Sequence, residues 1–207
     1  MRDFSSYSDL EIWSSFRAGD EDAFAYIYQH QASSLLKYGY QIGKDKALVE
    51  DCVHDLFIHL SLHRATINDT TSIKYYLFKS LRRKIIEALD RQQTGERHLK
   101  TYFYWTEKKS KSFEENLIAE QTTETQVQNL ARHLKDLPPR QQEALYLVYY
   151  SNLSYEEIAS IMSLQVRTVY NHVHTGLETL RSKMKEPGFE RIIPLLILAL
   201  ALQYSAH

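Results

Sequence analysis

Apolar residues recur every three or four positions along nearly the whole chain, and almost nowhere do they alternate with polar ones. Val49, Val53, Leu56, Phe57 and Leu60 fit one face of a helix, and Ile73, Leu77, Leu81, Ile85 and Leu89 fit another. A strand places alternate residues on one face, so neither series could bury itself in a sheet. Only six Gly and four Pro stand in 207 residues, too few for a sandwich of many tight turns. The fold class expected is all-α, in one or two domains at this length.

Ser8 and Asp9 precede Leu10, Ile12, Trp13 and Phe16, and that pattern stops at Gly19. Asp20 caps a second helix that buries Phe24, Ile27 and Tyr28 and runs through Leu35, Leu36 and Tyr40 to Gly43. A third helix spans about Lys46 to Leu62, with Glu50, Asp51, His54 and Asp55 opposite its apolar stripe. "RATINDTTS" is a polar loop. "SIKYYLFKSLRRKIIEALDRQ" is a fourth helix crowded with Lys74, Lys79, Arg82, Arg83 and Lys84. The next stretch has no clean period and many charges. It reads as a linker over 92–121, in which Tyr102–Trp105 form an aromatic run. A second helical block runs from about Glu124 to Leu137, and Pro138-Pro139 open the helix "RQQEALYLVYY".

The stretch "LSYEEIASIMSLQVRTVYNHVHTGLETLRSKM" starts at Leu153. Ser154 and Glu157 are spaced as a capping box, with Leu153 and Ile158 as its hydrophobic staple. Ile158, Ala159 and Met162 point inward, as do Val169, Val173, Leu177, Leu180 and Met184. Two helices with a short turn, the second long and polar outside, describe a helix-turn-helix. The second helix of that motif enters the major groove. A plain helical hairpin would share the pattern, but capping box, small Ala159 and turn spacing favour the DNA-reading form.

The net charge of -1 leaves no whole-chain pull toward nucleic acid, so any basic surface is local. One cysteine, Cys52, gives no intramolecular disulfide and fits a reducing, cytoplasmic setting. It reads as a small core residue. No secretory leader is expected from "MRDFSSYSDLEIW". No phosphate-cradling Gly loop, metalloprotease helix or nucleophile elbow is present, so no catalysis and no cofactor are expected. Asp55, His59 and His63 stand four apart, a spacing that can hold a metal. No second ligand cluster accompanies them, and they read as a solvated face. "FERIIPLLILALALQYSAH" is apolar from Ile192 to Leu202 apart from Pro194. It is too short for a transmembrane helix, which needs about twenty apolar residues. It reads as a buried extra helix or a docking peptide, with no stable membrane insertion.

Four stretches carry a resemblance to the extracytoplasmic-function sigma factors, most of all the branch common in the Bacteroidetes. "GDEDAF" (Gly19–Phe24) is similar to the family's opening motif. "VEDCVHDLFIHL" (Val49–Leu60) is similar to its polymerase-docking helix, and "YYLFKSLRRKIIEAL" to its promoter-melting helix. "LPPRQQEALYL", "LSYEEIASIMSL" and "RTVYNHV" resemble its second domain. The resemblance implies two helical domains, sigma region 2 over 1–91 and sigma region 4 over 122–186, and leaves a hydrophobic tail over 187–207. It implies a transcription initiation factor that binds core RNA polymerase and directs it to promoter DNA. Asp51, His54, Asp55 and Phe57 would meet the clamp helices of the largest subunit. Arg64, Lys74, Tyr75, Tyr76, Lys79, Arg82 and Arg83 would open the minus-10 element and hold the displaced strand. Such chemistry suits the task, since cations neutralise phosphates and tyrosine faces accept unstacked bases. Gln165, Arg167, Thr168, Tyr170, Asn171 and His174 would read the minus-35 element, while the second domain docks on the polymerase flap.

The departures from the family pattern carry their own expectations. His54 stands where Gln is usual, which makes one docking position titratable. Tyr76 replaces Trp, and Arg83 replaces Asn. Ser163 holds the turn position usually given to Gly, at a cost of roughly 1 kcal/mol if its backbone is left-handed. Gln165 is a poor helix cap. Tyr170, His172 and Thr175 sit where cations are common, which predicts a weak grip on upstream DNA. An anti-sigma factor or another DNA-targeting partner is expected to act through region 4 or the tail. A helix-turn-helix activator that does not replace a sigma factor is the alternative, and an interaction scaffold the third reading.

Overall fold

The computed structural model describes residues 3–43, 45–95 and 123–184, with residues 193, 194, 196 and 197 of the tail. The Tyr102–Trp105 run and most of the linker and tail lie outside these. All regular structure among the described residues is helical, and the chain divides into two compact units, Met1–His98 and Leu99–His207.

The first unit holds α1 (Asp9–Arg17), α2 (Glu21–Ile42), α3 (Lys46–His63) and α4 (Ile73–Gly95). The starts of α1, α2 and α3 are set by local chemistry. Ser8 and Glu11 form a reciprocal capping box on α1. The Asp20 carboxylate accepts the N–H groups of Asp22 and Ala23, and that of Asp45 those of Ala47 and Leu48. Gly19 ends the first turn at φ +96°, backbone open mainly to glycine. The series Val49, Val53, Leu56, Phe57, Leu60 and the series Ile73, Leu77, Leu81, Ile85 are buried. Leu89 is only half-buried, because it stands near the end of α4 where fewer neighbours cover it. Tyr28 is 50% exposed, a correction to its expected burial. The ring lies across the edge of Phe57, with centroids 4.8 Å apart, and its other side faces solvent. Tyr38 and Phe78, fully buried and stacked at 4.7 Å, join α2 to α4 instead.

The second unit holds α5 (Thr123–Lys135), α6 (Pro139–Leu145), α7 (Tyr155–Met162) and α8 (Val166–Met184). The helix opened by Pro139 does not run evenly to Tyr150. Its last turn, Tyr146–Tyr150, is π-helical, and Ser151 N–H donates to the Tyr146 carbonyl at 3.0 Å. The Tyr146 and Tyr150 rings stack at 4.9 Å within that wider turn. The Ser154–Glu157 capping box is present, with Leu153 and Ile158 both buried beside it. Val169, Val173, Leu177 and Leu180 are buried as expected, while Met184 is half-buried at the end of α8. Leu196 of the tail is buried and Ile197 exposed. No described helix is long and apolar enough to cross a membrane.

Candidate nucleic-acid interface

The cationic face belongs to α4 and to the loop that leads into it. Lys79 and Arg83 are exposed, and Lys74, Tyr75 and Arg82 are half-exposed. Tyr75 and Lys79 stand one turn apart, so the ammonium of Lys79 reaches the Tyr75 hydroxyl at 3.0 Å and lies 5.4 Å from its ring centre. The result is a flat aromatic surface beside a fixed positive charge. Arg83 pairs with Glu87 at 3.2 Å, an exposed contact that a phosphate can replace at little cost. Tyr76 differs from Tyr75. Its ring packs on Trp13, centroids 4.8 Å apart, so one face is taken by the first unit's own core.

The loop between α3 and α4 is polar in sequence but fixed in place. Ile67 is buried at its centre. Around it, α1 reaches the loop and the first residue of α4 at three points. Trp13 donates its indole N–H to the Asn68 carbonyl at 3.0 Å. Arg17 forms an ion pair with Asp69. One Asp9 carboxylate oxygen accepts the Ile73 N–H at 2.7 Å, capping α4 from a different helix. Ser72 caps α4 locally by accepting from Tyr75 N–H. Arg64 stays exposed, with its guanidinium donating to the Ser61 carbonyl at 3.0 Å. Asp9, Trp13 and Arg17 were not among the site residues expected from sequence. Their partners lie more than fifty residues away, and periodicity carries no such information.

The polar face of α3 is laid out as expected for Asp51, His54 and Asp55, all exposed. Phe57 is not part of it. Its side chain is only 4% exposed, lodged between Phe24 and Tyr28. One position further along, Ile58 and Leu62 are 43% and 74% exposed. They stand four apart and off the buried stripe, which a helical projection of the sequence could have shown. Cys52 is a free, buried thiol, pushed up by burial and then by the nearby Asp55 charge. The His59 and His63 rings approach to 4.5 Å. Among the described residues, no group of three or more His, Cys, Asp and Glu is placed to hold a metal.

In the second unit, Arg167, Tyr170, Asn171 and His174 are exposed on the outer face of α8, and Gln165 is exposed just before it. Thr168 is half-buried and its N–H donates to the Gln165 carbonyl, so Gln165 serves the helix start through its main chain. Ser163 does adopt the left-handed backbone, φ 55° and ψ 47°. His172 points away from this face, and burial and then Arg140 hold its imidazole below the ordinary range.

Residues 27–95 match the family model for Sigma-70 region 2, and residues 128–180 match that for Sigma-70, region 4. Together the two matches take in more than half of the chain. The sequence is 24% identical over 139 residues to the ECF RNA polymerase sigma factor SigM of Bacillus subtilis (strain 168), spanning 67% of this chain and 80% of that protein. Among solved structures, the chain is similar to the sigma factor RpoE in complex with the anti-sigma factor NepR from Bartonella quintana. The TM-score is 0.54 at 17% identity, covering 81% of this chain and 98% of that one. It is also similar to CnrH in complex with the cytosolic domain of CnrY, with a TM-score of 0.55 at 14% identity, over 87% and 99% of the two chains. These two likenesses show a shared fold.

Proposed function

We propose residue roles for a chain that belongs to the sigma-70 family, an initiation factor of the extracytoplasmic-function type that directs core RNA polymerase to promoters. Within that type we place it in the branch common in the Bacteroidetes, on the four stretches quoted above. Asp51, His54 and Asp55 dock on the clamp helices of the largest subunit, and Ile58 and Leu62 supply the apolar part of that contact in place of Phe57. The carboxylates suit a basic partner, and the two exposed side chains lie along the same outer side of α3.

Arg64, Lys74, Tyr75, Lys79, Arg82 and Arg83 open the minus-10 element and hold the displaced strand. Tyr76 works from behind this surface, with one face on Trp13. The observation that carries this reading is the Tyr75–Lys79 pair on α4 beside a loop tied to α1 at three points. A base released from its stack needs an aromatic face, its phosphate needs a cation, and neither helps unless the loop is already shaped. In the second unit Gln165, Arg167, Thr168, Tyr170, Asn171 and His174 meet the upstream element. With Arg167 the one cation among these six, the grip on duplex DNA is weak, and a partner protein completes the targeting or opposes it. The two structural relatives were each solved with a bound protein, the anti-sigma factor NepR in one case and the cytosolic domain of CnrY in the other. We assign the same kind of partner to this chain, through its second domain or tail, and a cytoplasmic location.

Run-off transcription with core polymerase tests this reading. New, defined start sites are expected with the wild-type chain. D51A/D55A should lose core binding, while K74A/K79A should bind core and fail to open the promoter. Absence of core binding by the wild-type chain would overturn the assignment and leave the activator reading.

A further inference from the structure

We propose that Tyr170, fixed against Tyr155, reads the 5-methyl group of a thymine in the upstream element. The inference rests on the reading of α8 as the helix that enters the major groove, and it names what one position of that helix recognises.

The two rings lie 3.9 Å apart between centroids and within 5° of parallel. Tyr155 is the first residue of α7, placed by the Ser154 capping box, and its ring is half-buried. Tyr170 is 51% exposed, at the edge of the buried side that holds Val169 and Val173. The stack thus joins the two helices of the motif. It holds one aromatic ring out from the surface with little rotamer freedom left to lose on binding.

The neighbours of Tyr170 show what kind of partner fits. Arg167, Asn171 and His174 share its exposed face, one turn back, adjacent and one turn ahead. Each offers hydrogen bonds, which a dry apolar protein groove would leave unmatched and base edges would use. The thymine methyl is the one apolar group that the major groove displays. Asn171 alongside carries the carboxamide that suits adenine N6 and N7. The pair therefore predicts an A·T pair read by both residues, or two A·T pairs in succession. It also accounts for a recognition helix poor in cations, because selection here comes from shape and apolar contact more than from charge.

The experiment uses the full chain with core polymerase on a promoter found by run-off. Each thymine of the upstream element is replaced singly by deoxyuridine, which lacks only the methyl group. One position should lose about fourfold in affinity, the worth of one buried methyl. The loss should appear with wild type and with Y170F, which keeps the ring, and vanish with Y170A. No sensitive thymine at all would overturn the proposal. So would a sensitive thymine whose effect persists in Y170A. If Y170A left both affinity and uracil sensitivity unchanged but lost a protein partner, the ring would belong to that partner instead. Failure of the wild-type holoenzyme to bind the thymine-bearing promoter would remove the underlying reading as well, and is told apart by needing no substitution.

Discussion

Trp13 on α1 and Asn68 in the loop before α4 are joined by one hydrogen bond of 3.0 Å across 55 residues of sequence. The bond places the loop relative to the core of the first unit, with Arg17–Asp69 and Asp9–Ile73 to either side. W13F keeps an aromatic ring against Phe16 and Tyr76 but removes the donor. Because Asn68 is exposed, water can take over its carbonyl, but the smaller ring leaves a void at a fully buried site, so the stability loss should be roughly 1–3 kcal/mol. Promoter opening should fall several-fold, read by permanganate reactivity of minus-10 thymines, with core affinity unchanged. Equal loss of core binding and opening would mean that Trp13 acts only through the fold.

Gly39 and Gly43 set how closely α2 and its exit approach α3. A Cβ on Gly39 would stand 2.4 Å from Val49 Cγ1, and one on Gly43 2.7 Å from Val49 Cγ2. Val49 is fully buried and cannot swing aside into solvent. G39A should cost roughly 1–3 kcal/mol through overpacking. Adding V49A should restore part of that loss, since it removes the methyl groups in conflict. Urea unfolding followed by Trp13 fluorescence in a W105F background checks both variants, and simple additivity would count against the clash.

Ser163 bears the left-handed turn between α7 and α8 without the freedom of glycine. Its N–H donates to the Ala159 carbonyl, and Leu164 N–H reaches the same oxygen at 2.9 Å, so the turn is well bonded despite the strain. S163G should stabilise the second unit by up to about 1 kcal/mol, less whatever the freer unfolded chain takes back. S163V should destabilise it, because a β-branched residue tolerates this backbone poorly. Slower amide exchange in α8 of S163G is the measurement. Upstream DNA binding should be unchanged, as Ser163 precedes the reading face.

Much of this architecture was legible in the sequence because it is written locally. The capping residues of α1, α2, α3 and α7 lie within one turn of the helices they start, and apolar periods mark the buried sides of α3, α4 and α8. The outer side of α8 followed by subtraction. What could not be read depends on distant partners or on geometry with no local code. The triple tie from α1 to the loop joins residues far apart in sequence. The π-helical turn at Tyr146–Tyr150 looks like ordinary helix in sequence, because one extra residue in a turn leaves the residue types unchanged.

His172 and His133 should make the second unit less stable in mild acid. Burial and then Arg140 depress His172, with Glu143 opposing. Burial and then Lys183 depress His133, with Asp136 opposing and Arg132 adding. Each folded value lies below the ordinary 6.5. Above that value both states are neutral and nothing is lost. As pH falls through it the unfolded chain takes up protons that the folded unit resists, so stability declines until the folded values are reached. Protection factors of α8 amides, corrected for the intrinsic exchange rate at each pH, should fall as the pH drops below the ordinary histidine value, and H172N should reduce the effect.

Tyr75 and Lys79 should separate in their response to salt. The Lys79 ammonium, 3.0 Å from the Tyr75 hydroxyl, is placed to neutralise one phosphate of a strand lying across the ring. K79A should lower the slope of log affinity against log salt by about 0.7, the share of one phosphate on a single strand. Y75A should leave that slope alone and weaken binding by roughly 1–3 kcal/mol, the loss of one base–aromatic stack. Y75F, which keeps the ring, should retain most of the affinity. The probe is a non-template-strand oligonucleotide carrying the minus-10 sequence, titrated into the holoenzyme over a range of salt. Equal slopes for wild type and K79A would show that the cation faces solvent and that the strand runs elsewhere on α4.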